Sequence, residues 1–309
     1  MAVDLARSLR PVNNSRRRRG LSARQKLALT GVAFTLPSVV LFCTFQLYPI
    51  FNTILLSFFK YDLLTPRAFI GLGNFADLFS DGVFWESCLV TLIYVVGVYV
   101  PVFVISLGLG LVLKSTTNLQ GTFRTIVFLP NVVSIVAIGV IWKLIFHPSG
   151  LSAELTRLFT PHPVVWLHHP ATAQIAVIIS NVWREVGYFT VLFLAGLLGI
   201  PDEYYEAATI DGAGRARAFV HITVPLLRRT TLFVIVLCVV RGVQTFVPQF
   251  IMTRGGPGIS NTTIGLSIYN NAFVYYKMGR ASAMALLVGL VVMIFTIIQL
   301  RLFRETEKD

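Results

Sequence analysis

The sequence predicts an all-α, polytopic membrane protein with about six transmembrane helices. Three observations carry that expectation. The 309-residue chain is 55% hydrophobic and only 13% charged, and its mean hydropathy of +0.74 is too high for an ordinary water-soluble domain. The apolar residues gather into stretches of roughly 20 or more, the length a helix needs to cross the hydrocarbon core. The basic residues are sorted between the two sides of the stretches, as positive-inside topology requires.

The spans are placed at residues 27–47, 89–113, 126–146, 173–198, 227–253 and 281–303. Little chain remains, so 27–309 is read as one membrane domain behind a basic tail, residues 1–26. That tail has no apolar period and is expected to be largely disordered. Its Arg16–Arg19 run suits a cytoplasmic anchor, with adhesion to anionic membrane lipid as the alternative. The first apolar stretch is longer than a signal-peptide core and continues through Pro37 and Pro49, which makes it an uncleaved span.

Beyond the first span, Lys60, Asp62, Pro66 and Arg67 mark an exit to the outside, and the aromatics of residues 69–75 suit an element at the headgroup level. Residues 114–124 form a short inner turn. Pro130 and Asn131 interrupt the third span early, which fits either a helix facing the bundle interior or a kink that serves packing. Residues 147–170 contain four prolines and form an external loop. His147, His162, His168 and His169 cluster there, but their spacing matches no metal-ligand pattern and no cysteine accompanies them, so no metal site is expected. Cys43, Cys88 and Cys238 are scattered and read as inert.

The net charge of +12 would suggest a nucleic-acid partner in a soluble protein, but here position matters more than the sum. With the amino terminus inside, 17 of the 26 lysines and arginines fall on inner segments and 6 on outer ones, while Lys143, Arg184 and Arg241 lie within spans. Both termini are therefore expected in the cytoplasm, and so is the loop between the fourth and fifth spans.

That loop, residues 201–225, is the most informative segment. Pro201 suits a first helical position, and Asp202 and Glu203 suit the positive end of a helix dipole, so residues 201–210 are expected to be helical. Asp211-Gly212 ends that helix, and a second short helix over 215–220 is expected to run at an angle towards Pro225. Ala207, Ala208 and Ala213 permit close approach of a partner, while Glu206 offers it a charge.

Glu206-Ala207-Ala208, three residues, Gly212, nine residues, Ile222 and then Pro225 resembles the cytoplasmic signature of binding-protein-dependent ABC import permeases. The flanking residues are similar to the carbohydrate-uptake, maltose-type members, as are Gly71-Leu72-Gly73-Asn74-Phe75, Gly255-Gly256-Pro257 and Gly279-Arg280-Ala281. The resemblance runs from about residue 28. It implies the maltose-type permease fold in a bacterial cytoplasmic (inner) membrane, with a coupling-helix loop at 201–225. It also implies four kinds of partner: a second homologous permease forming a heterodimer, two ABC ATPases docked on Glu206, Ala207, Ala208, Asp211, Gly212, Ala213 and Pro225, an extracytoplasmic solute-binding protein, and lipid. ATP and Mg would be used by the ATPases, with no cofactor held here; the chain has no phosphate loop, no zinc-protease histidine pair and no nucleophile elbow, so it is not expected to be an enzyme.

Polar residues within spans are costly and usually face a cavity or a partner. Asn181, Trp183, Arg184 and Tyr188 in the fourth span offer the hydrogen-bonding groups and aromatic faces a sugar pathway needs. Arg241 and Gln244, with Gln249 further along, form a second polar stripe. Arg184 and the adjacent Glu185 either line the pathway or pair with other helices. Arg241 would suit a phosphorylated glycerol compound unless Glu185 neutralises it. The rival reading is a secondary transporter or channel acting alone, which should carry paired broken helices or a carboxylate relay; Glu185 is the one acidic residue well inside a span.

Overall fold

The computed structural model describes residues 23–115, 120–160 and 164–305. Expectations for residues 1–22, for His162 and for the middle of the 114–124 turn fall outside them. Residues 1–52 and 53–309 are separate compact units. In the first, α1 (Ala23–Phe42) passes through a π-helical turn, Cys43–Leu47, into α2 (Tyr48–Leu56), which runs on into the second unit. The wide turn has a cause in the sequence. Pro49 has no N–H for the carbonyl four residues back and its ring crowds that carbonyl; the Tyr48 N–H instead reaches the Cys43 carbonyl, five back. The resulting apolar helix covers Leu29–Leu56, longer than the predicted 27–47.

In the second unit, β1 (Phe59–Lys60) pairs antiparallel with β2 (Ala68–Phe69), a small departure from an all-helical chain. α3 (Gly73–Phe79) follows, and Asn74 at its start is buried, donating to the carbonyls of Ser57 at 2.8 Å and Phe59 at 2.9 Å. Its polar side chain therefore fixes the turn after α2.

The organising element is α4 (Gly82–Ser115), 34 residues long. At 1.5 Å per residue it extends about 51 Å, beyond the roughly 30 Å of hydrocarbon, so its ends reach both surfaces. It packs closely along α8 (Pro170–Leu198). Tyr94, Val98, Tyr99 and Val102 of α4 form the main core with Val177, Phe189 and Phe193 of α8 and with Val234 and Cys238 of α12 (Arg228–Val243). A second core joins Leu78 and Phe84 to Ala283 and Met284 of α15 (Met278–Glu305).

Among the described residues one span is sharply bent and another is interrupted. α5 (Gln120–Val132) and α6 (Ile135–Ile145) meet at 90°. The break lies at Val133 and Ser134, after Pro130 and Asn131 rather than at them: Pro130 stays inside α5, and Ser134 takes non-helical angles, φ −54° and ψ 131°. The fifth span, expected over 227–253, is found over Arg228–Met252; within it the helix pauses at residues 244–246 and resumes as α13 (Val247–Met252). Pro248 at the start of α13 has no N–H for the Gln244 carbonyl four residues back, and the Thr245 carbonyl in the gap accepts from Thr263 Oγ1 at 3.0 Å. α6 and α13 pack on one another. Five described helices are long and apolar enough to cross a membrane, or six if the bent pair is one span. Between the fifth and last spans lies α14 (Ile264–Tyr269), whose first N–H donates to Thr91 Oγ1 of α4 at 2.7 Å.

Candidate functional site

The loop after α8 is an exposed elbow. α9 (Glu203–Ile210) is followed by α10 (Arg215–Ala218), a π-turn at Phe219–Thr223 and the single turn α11 (Val224–Leu226). Pro201 lies just outside α9, so the first helix begins two residues later than the sequence suggests, while Glu203 and Glu206 occupy its first turn as the dipole favours. The end of α9 explains the glycine. Gly212 has φ +72°, its N–H reaches the Thr209 carbonyl at 3.1 Å, and the Ala213 N–H reaches the Ala208 carbonyl at 2.8 Å. This is a Schellman cap, in which a glycine adopts the left-handed conformation that costs other residues energy. The π-turn before Pro225 repeats the device before Pro49: the Val224 N–H turns back to Phe219, five residues away.

The elbow points its signature outward. Glu206, Ala207, Asp211, Gly212 and Pro225 are exposed, while Ala208 and Ala213 are half-buried at the cap. Glu206 makes no ion pair among the described residues. Ile210, at the end of α9, is 87% exposed, a large apolar side chain at the tip of a polar loop.

The second site is a charged cluster near the middle of α8. Glu185, 4% exposed, receives Arg184 Nη1 on one carboxylate oxygen at 2.5 Å and Arg241 Nη1 of α12 on the other at 2.8 Å. Although adjacent residues project about 100° apart, the long Arg184 side chain folds back to its neighbour. The Arg241 guanidinium also lies 4.0 Å from the Tyr188 ring centroid, a cation–π contact that partial desolvation strengthens. Two guanidinium groups thus share one carboxylate inside the span.

The other sequence-predicted residues are not gathered here. Asn181 is buried and spends its donor on the Val177 carbonyl at 2.9 Å and Ser180 Oγ at 3.2 Å. Trp183 turns to the opposite face of α8, edge-on to Trp142 at 5.8 Å, where both border an apolar cavity of about 670 Å³. Gln244 is exposed at the break after α12. Sequence reasoning missed Tyr94 and Thr245, whose hydroxyl oxygens lie 3.5 Å apart across the gap between α4 and the interrupted fifth span. The run Gln244-Thr245 before Pro248 was the available signal. Among the described residues, no three His, Cys, Asp or Glu side chains gather as a metal site.

A bundle of long apolar helices with a bent span and an interrupted one, a charged pair of helices at its centre and a capped elbow at one end is the architecture of a polytopic transport protein. Residues 70–308 match the family described as binding-protein-dependent transport system inner membrane component, and the chain belongs to that family. The probable ABC transporter permease protein YurN of Bacillus subtilis is 33% identical over 283 residues, 89% of this chain and 96% of its own. The trehalose/maltose transport system permease protein MalF of Thermococcus litoralis is 32% identical over 283 residues, covering 90% and 94%. The fold matches a chain in the crystal structure of a bacterial ABC transporter that imports the acidic polysaccharide alginate, with a TM-score of 0.79 at 23% identity, covering 91% of this chain and 96% of that one. The chain is accordingly an inner-membrane permease component, a non-catalytic subunit of its transport system. A carrier acting alone calls for paired broken helices, whereas one span is sharply bent among the described residues, and membership of the family assigns the chain to the importers.

Proposed function

We propose that this chain is the permease subunit of an ATP-driven importer for a neutral carbohydrate. The observation that carries the reading is the elbow: a capped helix with Glu206, Ala207 and Ile210 turned outward has the shape and chemistry of a knob for a partner's groove. The partner is an ABC ATPase subunit, which supplies ATP and Mg chemistry that this chain lacks residues to perform. A second, homologous permease completes the pathway and an extracytoplasmic binding protein delivers solute. Both termini and the elbow are cytoplasmic, in keeping with Arg215, Arg217, Arg228 and Arg229 around the elbow.

The choice of solute follows from Glu185. Its carboxylate engages both Arg184 and Arg241, which lowers the cluster from two positive charges to one and occupies a guanidinium nitrogen of each, reducing the attraction for a phosphorylated glycerol compound. Tyr188 and the remaining guanidinium donors suit the apolar faces and hydroxyls of a sugar. The names among the relatives agree on carbohydrate rather than on charge: trehalose/maltose and lactose on one side, sulfoquinovosyl glycerol on the other.

The test is co-purification of the tagged chain with an ABC ATPase from membranes of its native host. Glu206→Lys and Gly212→Val are expected to remove the ATPase while leaving the chain monodisperse. Valine at φ +72° should cost about 1–2 kcal/mol locally, enough to displace the cap but not to unfold the bundle. Retention of the ATPase by both variants, or solute movement by the isolated chain, would contradict the proposal.

A further inference from the structure

Lys114 joins the elbow to the longest helix of the bundle. It sits in the last turn of α4 with Nζ 3.4 Å from Asp202 Oδ1 and 4.4 Å from the centroid of the Tyr205 ring. Asp202 is the residue before α9 and Tyr205 lies in its first turn, so one ammonium group grips the start of the elbow helix from two sides. The two contacts are unequal. The Asp202 side chain is 79% exposed and its ion pair is screened by water. Lys114 Nζ is itself buried and has no hydrogen-bond partner among the described residues, which makes the Tyr205 ring its principal support.

Tyr205 is in turn the fixed point of the elbow. Its hydroxyl lies 3.0 Å from Thr223 Oγ1, and Thr223 is buried in the π-turn that leads to α11 and α12. Its ring packs on Leu197 and Ile200 at the end of α8 and on Leu227 before α12. α9 has eight residues and none of them is fully buried, so it is too short to hold its place by helix formation alone. Displacing it pulls on whatever grips Tyr205.

We infer that Lys114 and Tyr205 form the joint through which movement of the elbow reaches α4. Lys114 is a positioning residue: it acts through α4, whose far end lies next to the Asp81–Arg280 ion pair. Leu197 and Leu227 hand the movement to α8 and α12, and Leu107 and Leu111 of α4 pack on the same cluster; Lys114 adds a polar grip of α4 on the elbow helix itself. The inference rests on the reading that the elbow is the docked element.

Two measurements test it. In the purified chain in nanodiscs, amide exchange over residues 203–213 is expected to be about ten-fold faster in Lys114→Met, and near that of the unsubstituted chain in Lys114→Arg, which keeps the cation over the ring. Unchanged exchange in Lys114→Met overturns the joint, and this arm needs no ATPase. In the assembled complex, spin labels on the elbow and at the far end of α4 are compared with and without ATP and vanadate. In Lys114→Met complexes that retain the ATPase, the shift at the elbow is expected to persist while the shift at the far end falls at least two-fold; Lys114→Arg restores it. A full shift at the far end in Lys114→Met overturns the inference. If the unsubstituted complex fails to bind an ATPase or shows no shift at all, the docking reading falls and the transmitting role falls with it, whatever the exchange data show about the contact.

Discussion

Glu185→Gln is expected to be strongly destabilising, by about 1–3 kcal/mol, less than for a fully buried pair because the Arg241 side chain is 35% exposed. The loss comes from the charges left behind rather than from the pair itself. Without the carboxylate, Arg184 and Arg241 remain within spans, one on α8 and one on α12, and Arg241 keeps the faces of the Tyr188 and Phe189 rings. A buried charge whose partner is removed costs more than a pair that was never built. The triple substitution Arg184→Leu, Glu185→Leu, Arg241→Met should therefore be less harmful than Glu185→Gln alone, despite changing three residues. Thermal unfolding of the three proteins in one detergent decides the matter. A Glu185→Gln protein as stable as the parent would show that the cluster is open to water and that the charges are solvated there.

Gly187→Ala should separate α5 from α8. A Cβ at Gly187 would overlap the Val127 carbonyl and lie 3.0 Å from Phe128 Cα; both are backbone atoms of α5, so no side-chain rotation relieves the clash. Overpacking of this kind costs about 1–3 kcal/mol, and here it also moves the helix that ends at the 90° break. Gly108→Ala in α4 is the matched control, because a Cβ there meets nothing within 4 Å; it should be neutral or stabilising by roughly 0.5–1 kcal/mol, from helix propensity. Equal melting temperatures for the two alanine variants would remove the close α5–α8 contact from the account.

Much of this architecture was legible in the chain because the bilayer imposes a length and a charge rule on it. The spans around α4, α8 and α15 follow from apolar runs, and the turn at Gly212 follows from Asp211-Gly212. What was hidden depends on residues far apart. Nothing local shows that Glu185 meets Arg241, 56 residues away, and a charge count could not choose between lining and pairing. The break after Gln244 was concealed because Val243, Phe246, Val247 and Phe250 keep the stretch apolar across it. The structure tolerates the break because Thr263 comes from another loop to meet the Thr245 carbonyl in the gap. The prolines at 49 and 225 were visible, yet their effect is felt one turn earlier, as the wide turns at Cys43–Leu47 and Phe219–Thr223. Lys114 passed for an ordinary inner lysine because the ring that holds it lies 91 residues further along.

The claim on which the account depends is that the elbow lies in the cytoplasm against an ATPase. Ile210, the exposed side chain at its tip, is the place to ask. In a background with Cys43, Cys88 and Cys238 replaced, Ile210→Cys should react with a membrane-impermeant maleimide in inside-out vesicles and not in intact spheroplasts. Bound ATPase should protect it, and a short bifunctional reagent should cross-link the two chains. Labelling from the outer side, or full reactivity in the presence of the bound ATPase, would contradict the account.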